Sequence, residues 1–392
     1  MFESPKHRPA RLLGVILSAV LAAVALLAGA GALTAADASG GNRVFVSHQG
    51  MDTPTCGHAK SPCRTVTQGL LRADAGDTVR VLPGRYHEQV VLTHRVRLVG
   101  HGATIDATGL SQGTGATTNA AAVLVTAGAS GSLVRGFRVT GAYGEGILVL
   151  SASHVRIALN RVFGNDRGTP ATTSYLECQA QGEVPGDCGE GVHLMSATDS
   201  AVVGNRITHN SGGVLVTDEF GPASGNRITD NLVTHNLYDC GITMPSHNIN
   251  ALAADGTRQP ALGGVYDNVV ARNRIIDNGT LGEGAGVLIA AAAPGTASYD
   301  NRIVDNVIRG NNLAGVTLHA HAPNQDISGN VVAHNNIGRN NLGGDPDAHV
   351  TATTGILVFS AVPPVTVHIT IRHNHIHNNV NKIWTSPNVT VN

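Results

Sequence analysis

Two glutamates and one histidine occupy matching places in two aliphatic segments. Glu145 and Glu190 each stand directly before a glycine that opens an aliphatic run, GILVL at 146 and GVHLM at 191, and His193 lies in the second run. If these runs pair as neighbouring parallel strands, the two carboxylates lie about 5 Å apart. Carboxylates that close repel each other, so they share a proton or recruit a cation, for which calcium (Ca2+) is the natural candidate.

Two further acids follow a third run of the same kind, GVLVT, and they are Asp218 and Glu219. His193 would serve as a base or ligand between the two sets of carboxylates, which is the arrangement that general acid–base catalysis needs. The predicted catalytic residues are Glu145, Glu190, His193, Asp218 and Glu219. Acids beside a glycine can equally be solvated turn residues, and that interpretation stays open.

Histidines form a second group with possible chemistry. His319 and His321 are two residues apart in one aliphatic run, so both side chains leave the same face of a strand. Pairs of imidazoles bind zinc or copper, although a histidine also fills an ordinary polar position well. The predicted metal ligands are Glu145, Glu190, His319 and His321. Weaker groups of the same kind are His209 with His235 and Asp277, and His373 with His375 and His377.

These residues belong to a sequence repeat that occurs seven times in the chain. Each copy has Asn at an anchor position and again five residues later, with Val or Ile two residues after the anchor and three residues before it. The anchors are Asn160, Asn205, Asn231, Asn273, Asn306, Asn335 and Asn374. Their spacing varies from 26 to 45 residues, which excludes a propeller and suits a solenoid whose loops grow while its strands stay stacked.

Asn at the corners of such a solenoid has a physical reason. Its amide hydrogen-bonds nearby backbone, and stacked amides about 4.8 Å apart form a ladder. Because Asn tolerates left-handed backbone angles, we expect the anchor Asn itself to turn the corner. The β-branched residues between the Asn positions then point inward and form the core.

The chain resembles the right-handed parallel β-helix proteins of the pectin-lyase-like superfamily. The resemblance covers roughly residues 43–392 and is carried by the repeat and by an entry segment, CRTVTQGLLRADAGDTVRVLPGRYHEQVVL at 63–92, in which TVTQGLLRA reads as a capping helix. It implies an all-β fold, a single-stranded right-handed parallel β-helix of about ten coils. The superfamily holds lyases, hydrolases, epimerases, adhesins and proteins without known activity, so the fold alone does not give the function.

The expected site lies on the sheet formed by the glycine-led runs, because the long insertions 166–190, 246–267 and 341–354 all border it. Its outward positions are mostly apolar and lack the acids with which lyases and galacturonan hydrolases work. DPDAH at 345–349 only partly echoes the DPHD signature of alginate epimerases. The predicted function is to bind or process a polysaccharide or cell-surface glycan. A non-catalytic adhesion solenoid and a metal-handling envelope protein remain alternatives.

The N-terminus gives the expected location. Residues 1–38 combine early basic residues, an apolar run and small residues, which predicts a secretory signal peptide, with an uncleaved membrane anchor as the alternative. The β-helix domain then occupies 39–392 in a secreted or cell-envelope protein, expected to be a monomer. Two local disulfides, Cys56–Cys63 and Cys178–Cys188, fit that compartment and leave Cys240 free. A formal net charge of −1 argues against nucleic acid as a partner.

Overall fold

Successive coils of the chain each add a strand to three parallel sheets. The computed structural model describes residues 41–110, 121–165, 189–362, 367–387, 389 and 391. In this part of the chain the sheets hold eleven, ten and ten strands, and each strand pairs with its counterpart one coil away. The predicted all-β, right-handed parallel β-helix of about ten coils is confirmed.

The strands of the three sheets are short, three to five residues in most coils. Sheet 1 contains Arg43–Val46, Thr78–Val81, Arg97–Gly100, Leu133–Arg135, Arg156–Ala158, Ala201–Val203, Arg227–Thr229, Val269–Ala271, Arg302–Val304, Val331–Ala333 and Thr370–Arg372. Sheet 2 contains Val90–Leu92, Val123–Val125, Ile147–Leu150, Val192–Met195, Val214–Thr217, Ile242–Ser246, Val287–Ala291, Val316–Ala320, Thr354–Ser360 and Asn381–Thr385. Sheet 3 contains Gly84–Tyr86, Ala103–Asp106, Arg138–Thr140, Arg161–Phe163, Arg206–Thr208, Leu232–Thr234, Arg274–Ile276, Val307–Arg309, Asn336–Ile337 and His375–Ile376. A small fourth sheet contains Ala223–Ser224, Val265–Tyr266 and Ser298–Tyr299.

The β-branched residues of the repeat form continuous buried rows. In sheet 3, Ile207 pairs with Val233, and Val233 pairs with Ile275 in the next coil. All three side chains are fully buried. Burying an aliphatic side chain of this size stabilises the fold by about 1.5–3 kcal/mol. Stacking in register therefore supplies the core that no single coil could form alone.

The asparagine ladders are also confirmed. The side-chain amide of Asn231 donates to Oδ1 of Asn273 at 3.0 Å, and Oδ1 of Asn231 accepts from the amide of Asn205 at 3.0 Å. The same side-chain bond links every successive pair of the seven anchors, from Asn160 to Asn374. A second ladder runs through Asn165, Asn210, Asn236, Asn278, Asn311 and Asn340, and a shorter third one through Asn226, Asn268 and Asn301.

The expectation that the anchor Asn turns the corner is wrong. The left-handed residue is the one before each anchor, namely Leu159, Gly204, Asp230, Arg272, Asp305, His334 and His373, with φ between 55° and 65°. This shift leaves the Asn side chain pointing inward, where its oxygen accepts the backbone N–H of the preceding coil, as Asn231 does from Asn205 at 2.8 Å. Many residue types therefore occupy the strained corner, while the inward position requires Asn.

A helix at the N-terminal end closes the solenoid. It spans Val66–Leu71, and the Thr65 side chain accepts the Gln68 N–H at its N-terminus. Glu88 supplies a carboxylate that accepts the backbone N–H of Val66 at 2.8 Å, a favourable place for a negative charge. Val66 and Leu70 are buried in the main core. A short 3-10 helix at Ala127–Ala129 is the other helical element of the described residues.

One of the two predicted disulfides lies within the described residues. Cys56 and Cys63 form a disulfide, and Cys240 is a buried free thiol. Cys178, Cys188 and the predicted signal peptide 1–38 lie outside the described residues. Among the helices of the described residues, none has the length and apolar character needed to span a bilayer.

Candidate functional site

The outer face of sheet 2 is buried rather than open at the strands Ile147–Leu150 and Val192–Met195. The alternation along each strand is as predicted, because Ile147 and Val149 enter the main core. On the outward side, Leu148 and Met195 are also buried, and they form a separate apolar cluster with Ala121. These positions, predicted to form an open floor, are therefore buried.

Three of the five predicted catalytic residues meet in this buried region. One ligand atom from each of Glu145, Glu190 and His193 lies within 4.8 Å of the others, and all three residues are fully buried. His193 Nδ1 lies 3.4 Å from Glu145 Oε1, and its Nε2 lies 2.7 Å from the Thr217 hydroxyl. With the proton on Nδ1 shared with Glu145, Nε2 accepts from that hydroxyl. The predicted side-by-side placement of the strands is confirmed, since Leu148 pairs with His193.

Asp218, the fourth predicted catalytic residue, holds the base of a loop. Its carboxylate accepts the backbone N–H of His247 at 2.7 Å, of Asn248 at 3.1 Å and of Gly264 at 2.6 Å. The Ser246 hydroxyl donates to it at 2.9 Å. Burial raises the pKa of Asp218, and these hydrogen bonds offset part of that increase. The residue thus joins the two ends of the 247–264 loop.

Glu219 pairs with a histidine from the same loop. Its Oε1 lies 2.9 Å from Nδ1 of His247, and the two side chains are 8% and 5% exposed. Burial alone would raise the pKa of Glu219, but the hydrogen bond and the charge of His247 lower it overall. Neither this pair nor the buried group around His193 is open to a large substrate. The catalytic role of the five residues stays a prediction.

An open cavity lies further along the same face of sheet 2. It has a volume of about 400 Å³, which is within the range of small-ligand sites. Its polar lining consists of Asp239, Thr243, His247, Glu283, His319, His321, Asp345 and Asp347. Sequence reasoning singled out His319 and His321 here. It missed the acids that face them, because those acids come from connections outside the repeat.

Asp345 and Asp347 reach the cavity through a folded loop. The backbone N–H groups of Asp345 and Val350 donate to each other's carbonyl oxygens at 2.8 and 3.0 Å. The Asn341 side chain donates to the carbonyl of Val350, and Ala348 and Val350 pack on Leu357 of sheet 2. This packing turns both acids over the strand that carries His319. The partial motif DPDAH was the one sequence signal that pointed to them.

His319 lies between two aspartates of the cavity. It is 5% exposed, its Nε2 lies 3.1 Å from Asp345 Oδ2, and its Nδ1 lies 3.6 Å from Asp347 Oδ2. His321 Nε2 lies 3.8 Å from the same Asp347 oxygen. Burial lowers the pKa of His319, but hydrogen bonding to the two aspartates outweighs burial and raises it. The Phe359 ring packs edge-on against both imidazoles, with centroids 5.3 and 6.0 Å away.

Two carboxyl groups of the cavity have pKa values shifted in opposite directions. Burial and then repulsion by Asp347 and Asp345 raise the pKa of Glu283. The hydrogen bond with His319 lowers the pKa of Asp347, against the effect of burial. Environments that push two carboxyl pKa values apart produce a proton donor and an ionised partner in one site. The cavity can therefore support acid–base chemistry.

The other predicted histidine groups lie at the solenoid corners. The rings of His209 and His235 stack with centroids 5.7 Å apart, and His235 Nε2 is 3.9 Å from Asp277 Oδ2. His375 and His377 have centroids 5.0 Å apart. A metal role for these groups stays a prediction.

The comparisons with known proteins give a family and confirm the fold. A family model described as "Protein of unknown function (DUF1565)" matches residues 48–277. No curated protein matches the chain. Among solved structures, a polygalacturonase from Erwinia carotovora ssp. carotovora is 10% identical, with a TM-score of 0.52 over 90% of this chain and 97% of that one. The Dettilon tailspike protein is 14% identical, with a TM-score of 0.52 over 87% of this chain and 68% of that one. At identities of 10% and 14%, the similarity shows a shared parallel β-helix fold.

Proposed function

The chain belongs to the DUF1565 family of proteins of unknown function, and from its own site we propose that it binds a polysaccharide along the outer face of sheet 2 and cleaves it at the cavity. The observation that carries this proposal is the presence of Glu283 and Asp347 in one open cavity, with pKa values shifted in opposite directions. In this role Glu283 gives a proton to the leaving oxygen of the glycosidic bond. Asp345 and Asp347 position a water molecule, and Asp347 takes its proton as the water oxygen bonds to the sugar carbon and the bond to the leaving oxygen breaks.

The fold and the shape of the site support a glycan as the substrate. A parallel β-helix offers a long flat face, and the cavity is an opening along that face between loops. The polygalacturonase with this fold is named for its action on polygalacturonate. Aromatic residues are only 3% of the chain, so recognition would depend on polar groups more than on stacking against sugar rings.

The decisive experiment is a screen of the purified protein against uronate-containing and neutral polysaccharides, with product analysis by chromatography. Glu283→Gln keeps the size of the side chain and removes the proton, so we expect the cleavage rate to fall by about 10²–10⁴-fold. Asp255→Asn, an exposed carboxylate in the 247–264 loop, serves as the matched control and should keep the wild-type rate. Full activity in Glu283→Gln contradicts the assigned proton donor.

Binding without cleavage is the main alternative, and the same screen separates it. A polysaccharide that binds but gives no product would leave a carbohydrate-binding solenoid and remove the catalytic part of the proposal. Binding that is unaffected by Glu283→Gln and by Asp347→Asn would move the binding surface away from the cavity. If no polysaccharide binds or is cleaved, the proposed function is refuted.

A further inference from the structure

The cavity contains a set of side chains with the composition of a transition-metal site. His319, His321 and Asp347 each offer one ligand atom, and the three atoms lie within 4.8 Å of one another. Two imidazoles and one carboxylate are the ligands of many catalytic zinc sites, which keep a fourth position for water. We propose that His319 Nδ1, His321 Nε2 and Asp347 Oδ2 bind one divalent transition ion, with zinc as the expected metal.

The distances between ligand atoms fit one shared ion. Ligands about 2.1 Å from a metal in tetrahedral geometry lie about 3.4 Å from each other. The Asp347 oxygen lies 3.6 Å from His319 Nδ1 and 3.8 Å from His321 Nε2. These two separations need to shorten by only a few tenths of an ångström for the three atoms to enclose a metal. Asp347 is half exposed, so its side chain has room to make that adjustment.

The surroundings of His319 supply an independent argument. Its other ring nitrogen, Nε2, lies 3.1 Å from Oδ2 of Asp345, whose side chain is fully buried. Donation from Nε2 to that carboxylate leaves the lone pair on Nδ1, which lies 3.6 Å from Oδ2 of Asp347. A carboxylate behind a ligating imidazole is the usual support of a histidine metal ligand, because it fixes the tautomer and the ring orientation.

The position of His321 is also fixed. The backbone N–H groups of His321 and Ala322 both donate to Oε1 of Gln325, at 2.7 and 2.8 Å, which holds the turn that follows the strand. The edge of Phe359 packs on both imidazoles. His319 lies in the strand Val316–Ala320, His321 follows directly after it, and their ring centroids lie 5.3 Å apart. The ion would therefore lie over sheet 2, and its open position would face the cavity.

In the proposed polysaccharide cleavage, the metal would hold and activate a water molecule opposite Glu283. This catalytic role rests on the proposed function, whereas binding of the metal does not. The two proposals can therefore fail separately. A zinc site in a protein that cleaves no glycan would leave the metal proposal intact, and glycan cleavage without metal would leave only the acid–base proposal.

The test uses the protein without a histidine tag. After dialysis against chelator, titration with zinc followed by calorimetry should give one site per chain. His321→Ala should weaken that site by at least about 100-fold, since loss of a supporting group alone costs 10–100-fold. His101→Ala, an exposed histidine outside the candidate metal groups, is the matched control and should keep one site of wild-type affinity.

Cobalt gives a second readout that does not depend on activity. Co2+ bound in a tetrahedral site absorbs visible light, and the band should appear in the wild type and in Glu283→Gln but be lost in His321→Ala and Asp347→Asn. Zinc stoichiometry near zero in the wild type overturns the site. So does unchanged zinc affinity or an unchanged cobalt spectrum in both ligand variants, provided that circular dichroism shows them folded.

Discussion

His319 Nε2 and Asp345 Oδ2 lie 3.1 Å apart although the two residues are separated by 26 positions in the chain. The histidine comes from a strand of the repeat, and the aspartate comes from a loop that the repeat does not contain. The contact therefore marks the point where a regular scaffold and an irregular insertion together create a site. The same aspartate also stabilises its own loop, because its other oxygen, Oδ1, accepts the Ala348 N–H.

The first prediction concerns this contact. Asp345→Asn removes the charge that His319 and the Ala348 N–H share, so the free energy of unfolding should fall by about 1–3 kcal/mol. The half-exposed neighbour provides the comparison, because Asp347→Asn should change stability by much less. Urea unfolding followed by circular dichroism measures both. Equal losses in the two variants would argue against a structural role specific to Asp345.

The second prediction concerns the core rows. Ile228 is fully buried in sheet 1, so Ile228→Asp should place an unpaired charge there and cost several kcal/mol. Val91 points outward from a strand of sheet 2 and is 39% exposed, so Val91→Asp should be nearly neutral. Thermal unfolding of the two variants gives the result. A normal melting temperature for Ile228→Asp would contradict the assigned packing.

The third prediction concerns the asparagine ladder. Oδ1 of Asn231 accepts both the backbone N–H and the side-chain amide of Asn205, at 2.8 and 3.0 Å. Asn231→Ala leaves these buried donors without their acceptor, at a cost of about 1–3 kcal/mol for each group. Asn250→Ala, in an exposed turn, is the control and should change stability little. The ladder would be dispensable if chemical denaturation gave both variants the same midpoint.

The fourth prediction concerns the pH dependence of stability. Hydrogen bonding to His247 makes the pKa of Glu219 lower in the folded protein than its usual 4.5. A carboxyl group with a lowered folded pKa stabilises the fold above its unfolded pKa, and this contribution is lost as pH falls through the folded pKa. Asp218 has the opposite sign, because burial raises its pKa and favours the protonated form. Its contribution is present below pH 3.8 and is lost as pH rises.

Glu219→Gln separates these two effects. The variant should lose less stability than the wild type between roughly pH 5 and pH 3, because it no longer has the carboxylate whose protonation breaks the pair with His247. Denaturant midpoints measured across that interval provide the comparison. Parallel curves for the variant and the wild type would show that Glu219 does not contribute to acid sensitivity.

The fifth prediction concerns the cysteines. With Cys56–Cys63 formed and the predicted Cys178–Cys188 bond also present, Cys240 is the one thiol left. Alkylation under denaturing conditions without reductant should add a single label to the intact mass. Three labels would show that Cys178 and Cys188 are reduced.

The fold could be predicted because its information is local and repeated. Each pair of Asn residues five apart, with a β-branched residue between them, specifies the same corner and the same inward row. Even there the sequence misplaced the left-handed residue by one position. Leu159 and Arg272 occupy left-handed corners that their residue types do not signal, because the ladder decides which position must point inward.

The site was harder to predict because two of its parts lie outside the repeat. Asp345 and Asp347 reach His319 because Ala348 and Val350 pack on Leu357, and such a contact leaves no periodic trace in the sequence. The solvent exposure of the predicted site residues was also hard to predict from the sequence. Alternation correctly placed His193 on the outer face of its strand, but it gave no sign that His193 is fully buried there.

The bonds between side chains in the ladders all have one direction, since the amide of one Asn donates to the oxygen of the Asn in the next coil toward the C-terminus. Each coil is therefore an interchangeable module with a donor on one side and an acceptor on the other. Removal of residues 206–231, one full repeat, would bring Asn205 directly onto Asn273, with donor and acceptor still matched. Such a chain can gain or lose whole coils without breaking its hydrogen-bond pattern, whereas a deletion of one residue within a strand or an Asn corner puts the ladder and the buried rows out of phase.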